Sequence, residues 1–317
     1  MPLEEVRKDL QGWVEAFKKE VDMLTAGPVT RLTREEYIKL CQQGTPMETL
    51  PTKMVATVKP PGRRKCRIVV CGNFADEKST DTSIGGICSV ALRGTVHAAA
   101  VNGWSLGTVD VKGAFLQAPR RDTGKVSVVQ PPALLLQMGL AQPGEMWLVH
   151  QALYGYVESP SDWGHFRDNE GLSKMEWETE EKVKYRLVPS GEPHLWRIQA
   201  EGQTQGVILV YVDDFLVAGK PAVRTSALKA IARTWECSDP EIINEESWVR
   251  YCGYEIRQGP HGSFQLRQTS YITDVLERRN VQKEEAVPLP RIEEGPDEEN
   301  PEISVIRDAQ AAVGELM

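Results

Sequence analysis

The longest apolar stretch of the chain runs from Val207 to Ala218 and is interrupted by two adjacent aspartates, Asp213 and Asp214. Two short β-forming runs on either side of a polar pair predict a hairpin. Successive side chains of a strand point to opposite faces, so both carboxylates reach one site only if they lie near the turn. Carboxylate oxygens at such a turn suit magnesium. The alternative is a solvated turn, because aspartate favours turns in any protein.

A third aspartate strengthens the metal-site interpretation. Asp110 lies within the apolar strand predicted over residues 106–111, where an isolated carboxylate is costly to bury unless it is paired or bound to a metal. Three aspartates on neighbouring strands fit a site at which two metal ions catalyse nucleotidyl transfer. The alternative is an aspartate on an edge strand, with its side chain in water.

Composition excludes several other classes of protein. The 317 residues are 41% hydrophobic and 26% charged, which excludes a disordered chain and is enough for one large domain or two smaller ones. No run of about 18 apolar residues predicts a membrane span, and the amino terminus has no secretory signal. The six cysteines lack the spacing of zinc or redox motifs. We therefore expect reduced thiols in an intracellular protein, in the cytoplasm by default.

Charge is distributed unevenly along the chain. The net charge of −8 by itself argues against a nucleic-acid-binding protein. However, residues 281–317 hold ten acidic and three basic side chains, a net of −7, so the rest of the chain carries only −1. Within that remainder, five basic residues form a cluster that is compatible with a local basic surface: Lys59, Arg63, Arg64, Lys65 and Arg67.

The predicted elements follow one another irregularly, which indicates the α+β class rather than repeated βαβ units. The spacing of apolar residues predicts helices over 3–24, 33–42, 86–102, 159–172, 221–235 and 270–279, and a helix or a loop over 133–140. Strands are predicted over 54–59, 65–71, 106–111, 126–129, 147–149, 182–188, 194–200, 248–257 and 263–267, besides the hairpin within 206–218. Thr33 is the expected N-cap of its helix, and the prolines and acids after residue 280 predict a linker.

Five blocks, in the same order along the chain, resemble the polymerase region of copia-type LTR-retrotransposon reverse transcriptases. The block Tyr211-Val-Asp-Asp214 is similar to the signature of reverse transcriptases in general. The other four are Lys65-Cys-Arg-Ile-Val-Val-Cys-Gly72, Thr108-Val-Asp-Val-Lys-Gly-Ala-Phe-Leu116, Leu153-Tyr-Gly-Tyr-Val-Glu-Ser-Pro-Ser-Asp-Trp163 and Cys252-Gly-Tyr-Glu-Ile256. The resemblance covers roughly residues 10–317.

This resemblance implies a right-hand polymerase with fingers and palm, in which the palm is an antiparallel sheet backed by helices. Along the chain it implies a helical N-terminal extension over 1–48, fingers over 49–106, and a palm over 107–258 with inserted fingers elements at about 130–165. Residues 259–317 then correspond to a thumb or connection remnant with an acidic linker, truncated before ribonuclease H.

The resemblance also implies a metal site and a primer site. The metal site consists of the catalytic carboxylates of Asp110, Asp213 and Asp214 together with the backbone carbonyl of Val111. The expected cofactor is a pair of Mg²⁺ ions, with Mn²⁺ as a substitute. Tyr211 and Val212 are expected beside the primer terminus.

A nucleotide site is implied by further matches. Lys65 and Arg67 match the fingers strand that grips the triphosphate, and ammonium and guanidinium groups both suit phosphate. Phe115 matches the aromatic steric gate that excludes a 2′-hydroxyl, with Ala114 beside it. The alternatives are a solvated strand face and a core phenylalanine. Glu158 stands where the family has a glutamine that helps to hold the nucleotide, and its carboxylate is expected to repel phosphate.

The implied function is RNA-directed DNA synthesis. The implied partners are an RNA template, a DNA or tRNA primer, dNTPs and further Pol polyprotein regions such as ribonuclease H and integrase, with no membrane. A virus-like particle is then an alternative location to the cytoplasm. One alternative function is that of a truncated, inactive retrotransposon relic with at most weak nucleic-acid binding, which Glu158 and the acidic tail favour. Another is a palm-type nucleotidyl transferase that works without a template.

Overall fold

A computed structural model describes residues 2–59, 62–75, 86–281 and 302–316. In these ranges the α-helices are α1 Leu3–Lys8, α2 Leu10–Thr25, α3 Arg34–Gln42, α4 Ser89–Val101, α5 Ala133–Gln137, α6 Ser159–His165, α7 Pro221–Thr234, α8 Thr269–Arg278 and α9 Ile303–Leu316. None of these helices has the length and apolar character needed to cross a membrane. The strands are β1 Val29–Leu32, β2 Met47–Lys59, β3 Arg63–Val70, β4 Ser105–Asp110, β5 Val126–Gln130, β6 Met146–Val149, β7 Glu176–Glu178, β8 Lys184–Pro189, β9 Leu195–Ala200, β10 Gln203–Tyr211, β11 Asp214–Gly219, β12 Glu241–Ile242, β13 Val249–Tyr251, β14 Tyr254–Gln258 and β15 Phe264–Arg267.

Three sheets organise the described residues. The largest is antiparallel, with seven strands in the order β12-β4-β11-β10-β9-β8-β7. The second has five strands in the order β1-β6-β5-β2-β3, with one parallel pair between β2 and β5. The third is the small antiparallel sheet β13-β14-β15. The predicted class, α+β with an antiparallel sheet backed by helices, is confirmed.

The seven-stranded sheet is buried on both faces along β4 and β11, and β11 shows why its sequence is continuously apolar. Phe215 and Val217 lie in a cluster that includes the buried side chains of α7, whereas Leu216 and Ala218 lie in a second cluster with α4 and the small sheet. All four side chains are fully buried. Because both faces of the strand are covered, neither allows polar residues, and the alternation typical of a half-exposed strand is absent.

The five-stranded sheet is covered by α2, whose apolar stripe packs against β3. The prediction of one helix over 3–24 is wrong at Asp9, where the backbone leaves the helical region (φ −137°). The Asp9 carboxylate accepts a hydrogen bond from the Gly12 N–H (3.2 Å) and pairs with Arg64 of β3 (2.5 Å). Asp9 therefore caps α2 and ties it to the strand below.

Several other predicted elements differ from the structure. The single strand predicted over 248–257 is a hairpin, which turns at Cys252 (φ 47°) and Gly253 (φ 76°). The helix predicted over 159–172 is α-helical only as far as His165, and Phe166–Gly171 is a π-helix.

Further differences concern short and terminal segments, and β2 begins at Met47, seven residues before the predicted strand. The strands β1, β7 and β12 have two to four residues, too few for a periodic pattern, and were not predicted. Residues 133–140, predicted as a helix or a loop, contain the short helix α5. The predicted acidic linker contains α9, and its residues 282–301 lie outside the described residues, as do Pro60 and Pro61 between the strands predicted over 54–59 and 65–71.

Candidate active site

Two of the predicted carboxylates are cross-strand neighbours at one end of the seven-stranded sheet. Asp110 is the last residue of β4 and Asp214 is the first residue of β11, and the antiparallel register pairs them directly. Their side chains contact each other, and this contact lowers the pKa of Asp110 and raises the pKa of Asp214. The register between these strands therefore brings together two acids that lie far apart in the sequence.

The third carboxylate belongs to the two-residue turn between β10 and β11, which was predicted as a hairpin tip. The turn consists of Val212 and Asp213, and it is closed by the pair Tyr211 and Asp214. Val212 has a φ of 52°, a left-handed conformation that is costly for a β-branched residue. The Val111 N–H donates a hydrogen bond to the Asp213 carbonyl (2.9 Å), which connects the turn to the end of β4.

Burial raises the pKa values of all three carboxyls, and repulsion from neighbouring carboxylates adds to the shift at Asp110 and Asp214. Desolvation is the largest cause in each case, and it raises the pKa of Asp214 to about 7, with further contributions from Asp213 and Asp110. The nearby charges of Lys65 and Arg67 act in the opposite direction on Asp213. Partly buried carboxylates that repel one another are chemically suited to bind a divalent cation, since the cation relieves the repulsion.

The three carboxylates are therefore chemically suited to bind a metal ion, but they do not form a closed binding site. Among the residues that the structure describes, no group of three or more His, Cys, Asp or Glu side chains is placed so that it could hold a metal ion.

The basic residues predicted to grip a triphosphate lie on the strand that faces these acids. Lys65 and Arg67 alternate along β3 and so share one face of the strand, and the positive charges of both lower the pKa of Asp213. Burial and the neighbouring Arg67 lower the pKa of Lys65 itself. Arg64 lies on the opposite face, above the ring of Trp13 (5.2 Å) and paired with Asp9.

An aromatic pair connects the basic strand to the predicted steric gate. The Arg67 guanidinium lies over the ring of Tyr154 (4.8 Å), and that ring lies 5.7 Å from the ring of Phe115. Phe115 is half-buried in a short 3₁₀ turn, Ala114–Gln117, that begins after Gly113 in the left-handed region (φ 58°). Ala114 is buried at 3% exposure. Phe115 therefore packs against the core on one side and keeps another side accessible.

Glu158 occupies the position before the first residue of α6. It is half-buried, and its side chain makes no capping hydrogen bond to the helix. Its negative charge contributes to the raised pKa of Tyr156, after burial as the main cause. The Arg120 guanidinium lies over the Tyr156 ring, 4.1 Å from the ring centroid.

Several residues that the motifs did not single out support the site. The Ser238 hydroxyl accepts a hydrogen bond from the Asp110 N–H (3.1 Å), and the Ser238 N–H donates to the Asp110 carbonyl (2.8 Å). The Trp163 indole N–H and the Arg167 guanidinium both donate to the Val212 carbonyl. Tyr154 and Trp163 belong to one of the sequence blocks that resemble the family. In contrast, nothing in the local sequence around Ser238 or Arg167 indicates their roles.

The chain matches a family model described as "Reverse transcriptase (RNA-dependent DNA polymerase)" over residues 36–293, which is well over half of its length. The chain belongs to the reverse transcriptase family. The predicted right-hand polymerase fold agrees with this membership. No curated protein sequence matches this reverse transcriptase chain.

Solved structures that resemble this reverse transcriptase chain are remote. The foamy viral protease–reverse transcriptase in complex with RNA/DNA hybrid is 15% identical, with a TM-score of 0.37, and the match covers 79% of this chain and 28% of that one. Apo telomerase from Candida tropicalis, truncated from its C-terminal domain, is 8% identical, with a TM-score of 0.38 and coverage of 81% and 60%. Candida albicans telomerase with a fragment of telomeric RNA is 8% identical, with a TM-score of 0.33 and coverage of 85% and 55%. The chain thus spans less than two thirds of each of these proteins.

Proposed function

We propose that this chain is the RNA-directed DNA polymerase domain of a copia-type retrotransposon. The observation that carries the proposal is the meeting of Asp110, Asp213 and Asp214 at one end of β4 and β11, within electrostatic reach of Lys65 and Arg67. In this proposal the seven-stranded sheet is the palm and the five-stranded sheet belongs to the fingers. The partners are an RNA template, a DNA or tRNA primer and dNTPs, and other Pol regions such as ribonuclease H and integrase complete the polyprotein.

The metal ligands in this proposal are the three carboxylates and the Val111 carbonyl. Burial raises the pKa of Asp214, and so does repulsion from Asp213 and Asp110, which a cation between the carboxylates would relieve. Two Mg²⁺ ions, or Mn²⁺ as a substitute, would lower the pKa of the primer 3′-hydroxyl and stabilise the charge of the departing pyrophosphate. The carboxylates supply the negative charge that holds them there.

The nucleotide is bound by the basic strand and the aromatic pair. Lys65 and Arg67 neutralise the triphosphate, and they continue to do so as the bond between the α- and β-phosphates breaks and negative charge moves to pyrophosphate. The primer 3′-oxygen forms the new phosphodiester bond at the α-phosphorus. Phe115, held against Tyr154, crowds a 2′-hydroxyl and so favours deoxynucleotides, with the small side chain of Ala114 beside it.

Glu158 modifies this site, and Tyr211 and Val212 complete it. Tyr211 and Val212 immediately precede the acidic pair, which supports their assignment beside the primer terminus. A carboxylate at Glu158, where the resembling family has glutamine, lowers affinity for the triphosphate by charge repulsion. We therefore expect Glu158→Gln to decrease the KM for dNTPs.

Primer extension tests the proposal. The purified chain is incubated with an RNA template, a DNA primer, Mg²⁺ and dNTPs, with Asp214→Asn as the inactive variant and Asp239→Asn, an exposed aspartate, as the matched control. We expect templated extension by the wild type and Asp239→Asn, none by Asp214→Asn, and a higher rate at low dNTP for Glu158→Gln. Full activity of Asp214→Asn would contradict the site assignment, and a product that ignores the template base would indicate an untemplated transferase.

The second candidate function is that of an inactive relic that retains weak nucleic-acid binding. Two observations favour it: the carboxylates do not form a closed metal-binding group in the described residues, and Glu158 adds negative charge to the chain. This candidate predicts a folded protein that binds an RNA/DNA hybrid weakly and extends no primer with Mg²⁺ or Mn²⁺, even after Glu158→Gln.

A further inference from the structure

A single backbone carbonyl in the acidic turn receives two hydrogen bonds from one neighbouring segment. The Val212 carbonyl accepts from the Trp163 indole N–H at 2.7 Å and from an Arg167 Nη at 3.0 Å. Val212 is the first residue of the turn, immediately before Asp213, and it has a left-handed conformation (φ 52°). A conformation that is costly for valine persists only where surrounding contacts determine it, and these two donors are such contacts.

Arg167 is fully buried, with a residue exposure of 0%. A buried guanidinium is stable only when its donors are satisfied and its charge is balanced. Asp168 does both, because its two carboxylate oxygens accept from Nε and Nη2 of Arg167 at 2.8 and 3.0 Å. The remaining Nη1 is then directed at the Val212 carbonyl.

His194 adds a third contact to the same guanidinium. Its Nδ1 lies 3.3 Å from Arg167 Nη2. Burial, reinforced by the positive charge of Arg167, lowers the pKa of His194. Because a guanidinium can only donate hydrogen bonds, Nδ1 is the acceptor in this contact. The His194 carbonyl also accepts from the N–H of Val210, near the end of β10. His194 thus links the arginine to β10, the strand that leads into the turn.

The local helical geometry explains why both donors reach one atom. Trp163 and Arg167 are four residues apart, which places them on the same side of a helix. Arg167 lies in the π-helical segment Phe166–Gly171, and such segments frequently occur at functional sites. The Trp163 ring is itself fixed by contacts with Phe166 and Trp235, at 6.3 and 5.8 Å.

We infer that Arg167 is a positioning residue for the proposed polymerase reaction: its buried guanidinium, oriented by Asp168 and His194, holds the Val212 carbonyl and thereby the conformation of the turn that carries Asp213. This inference rests on the proposed function for its kinetic consequence. Its structural consequence does not depend on that function. The Asp213 carbonyl accepts from the Val111 N–H, so exchange of the Val111 amide hydrogen reports on the turn directly.

The test compares Arg167→Met, Arg167→Lys and Trp163→Phe with Lys174→Met as the matched control. Lys174 lies just after the π-helical segment, is 63% exposed in its side chain and pairs only with Glu170 among the described ion pairs, so its replacement removes a positive charge without touching the turn. Arg167→Lys retains one donor and a charge. Trp163→Phe retains a ring and removes the indole donor. Melting curves show which variants are folded.

We expect Arg167→Met to lower kcat for dNTP incorporation on the order of 10- to 100-fold, the effect of a small misplacement of reacting groups, with primer–template affinity within about 2-fold of the wild type. Arg167→Lys recovers part of the loss. Amide exchange at Val111 becomes faster in both Arg167 variants and in Trp163→Phe, whereas exchange in β8 and β9 and in Lys174→Met stays as in the wild type. Since both donors act on one carbonyl, the effects of Arg167→Lys and Trp163→Phe are not additive.

Two results would overturn the inference. One is unchanged Val111 exchange in folded Arg167→Lys, and the other is an equal acceleration across the whole seven-stranded sheet, which is the outcome for a buried cation that only stabilises the fold. If Arg167→Met does not fold, Arg167→Lys and Trp163→Phe carry the same test. If the wild type extends no primer, the proposed function fails, but Val111 exchange still decides whether Arg167 holds the turn.

Discussion

Asp214 combines burial with repulsion from two neighbouring carboxylates, and these effects raise its pKa from an ordinary value of 3.8 to about 7. Without a divalent metal, the folded protein therefore keeps a proton that the unfolded chain releases near pH 4. Unfolding in this range releases a proton, so the stability of the folded state falls as the pH rises through it. The loss is complete once the pH exceeds the folded-state pKa, at about 7.

The first prediction follows from this decrease in stability with rising pH. Asp214→Asn is neutral at every pH, and its amide can still donate a hydrogen bond to Asp110. In the presence of a chelator at pH 8, we expect it to melt roughly 2–5 °C above the wild type, since about 1 kcal/mol corresponds to a few degrees in a protein of this size. The difference shrinks as the pH falls towards 4. Thermal melts from pH 4 to pH 8 check this, and an equal difference at every pH would show that repulsion is not the cause.

The matched control for this experiment is Asp239→Asn, at an exposed position. We expect its melting temperature to follow that of the wild type at each pH. Addition of Mg²⁺ provides a second check, because a bound cation relieves the repulsion in the wild type and not in Asp214→Asn. The melting temperatures of the two proteins then converge as the metal concentration is raised.

At the scale of elements, β3 connects α2 to the candidate site, because successive side chains of this strand point to opposite faces. Arg64, Cys66 and Ile68 face α2, whereas Lys65 and Arg67 face the acidic residues. Tyr154 joins the second face to Phe115, and its carbonyl accepts a hydrogen bond from the Val70 N–H at 2.7 Å. One aromatic residue thus connects the basic strand with the turn after β4.

The second prediction concerns that residue. Burial raises the pKa of Tyr154 to about 12, so its phenol is neutral and the ring, not a charge, contacts Arg67. Loss of a cation–π contact of about 0.5–2 kcal/mol corresponds to a roughly 2- to 30-fold change in affinity. We expect Tyr154→Leu to raise the KM for dNTP by that factor and Tyr154→Phe to stay within about 2-fold of the wild type. Steady-state primer extension measures both, and equal effects of the two variants would exclude the ring as the cause.

The third prediction concerns the free edge of β3. Glu20 of α2 is 5% exposed, and its carboxylate accepts a hydrogen bond from the Ile68 N–H at 3.0 Å. Glu20→Ala leaves this buried donor without its partner, and we expect it to lower the free energy of unfolding by about 1–3 kcal/mol.

The conservative variant and the control separate the hydrogen bond from other effects. Burial raises the pKa of Glu20, so Glu20→Gln removes an unfavourable charge while its amide oxygen still accepts from Ile68, and we expect it to match or exceed the wild type at pH 8. Glu15→Ala, at an exposed position of the same helix, should have almost no effect. Urea denaturation at pH 8 measures all three, and equal losses in Glu20→Ala and Glu20→Gln would contradict the assignment.

At the scale of the whole molecule, charge is separated between a basic strand and an acidic C-terminal segment. The chain has a net charge of −8, of which residues 281–317 carry −7. A field of this sign opposes the approach of nucleic acid, and salt screens it over about 8 Å at physiological ionic strength.

The fourth prediction tests this separation of charge. Replacing six glutamates by glutamine removes six negative charges; the positions are Glu284, Glu285, Glu293, Glu294, Glu298 and Glu299. We expect the Kd for an RNA/DNA hybrid to decrease several-fold at low salt and the difference to narrow as salt is raised, because screening shortens the range of the repulsion. Replacing the same six residues by aspartate retains the charge and should leave Kd unchanged. Fluorescence anisotropy at three salt concentrations decides between these outcomes.

The sequence alone determined those features that depend on neighbours along the chain. The hairpin around Asp213 follows from two apolar β-forming runs, and the cap of α3 follows from Thr33 and Glu36, which form the reciprocal capping hydrogen bonds at a three-residue spacing. Asp110 was identified because a lone acid in an apolar strand is unusual. In each case the interaction lies within one strand or one helical turn, so the pattern of residues is enough to predict it.

Only the tertiary structure decided which residues from distant segments meet. It pairs Asp110 with Asp214, breaks the predicted first helix at Asp9 because Arg64 of β3 binds that carboxylate, and directs the buried Arg167 at the turn. A hydrophobic pattern indicates that one face of a helix or strand is buried, but it does not identify the element that packs against that face. The roles of Tyr154, Arg167 and Glu20 depend on partners in other elements, and those partners are chosen by the packing of the whole chain.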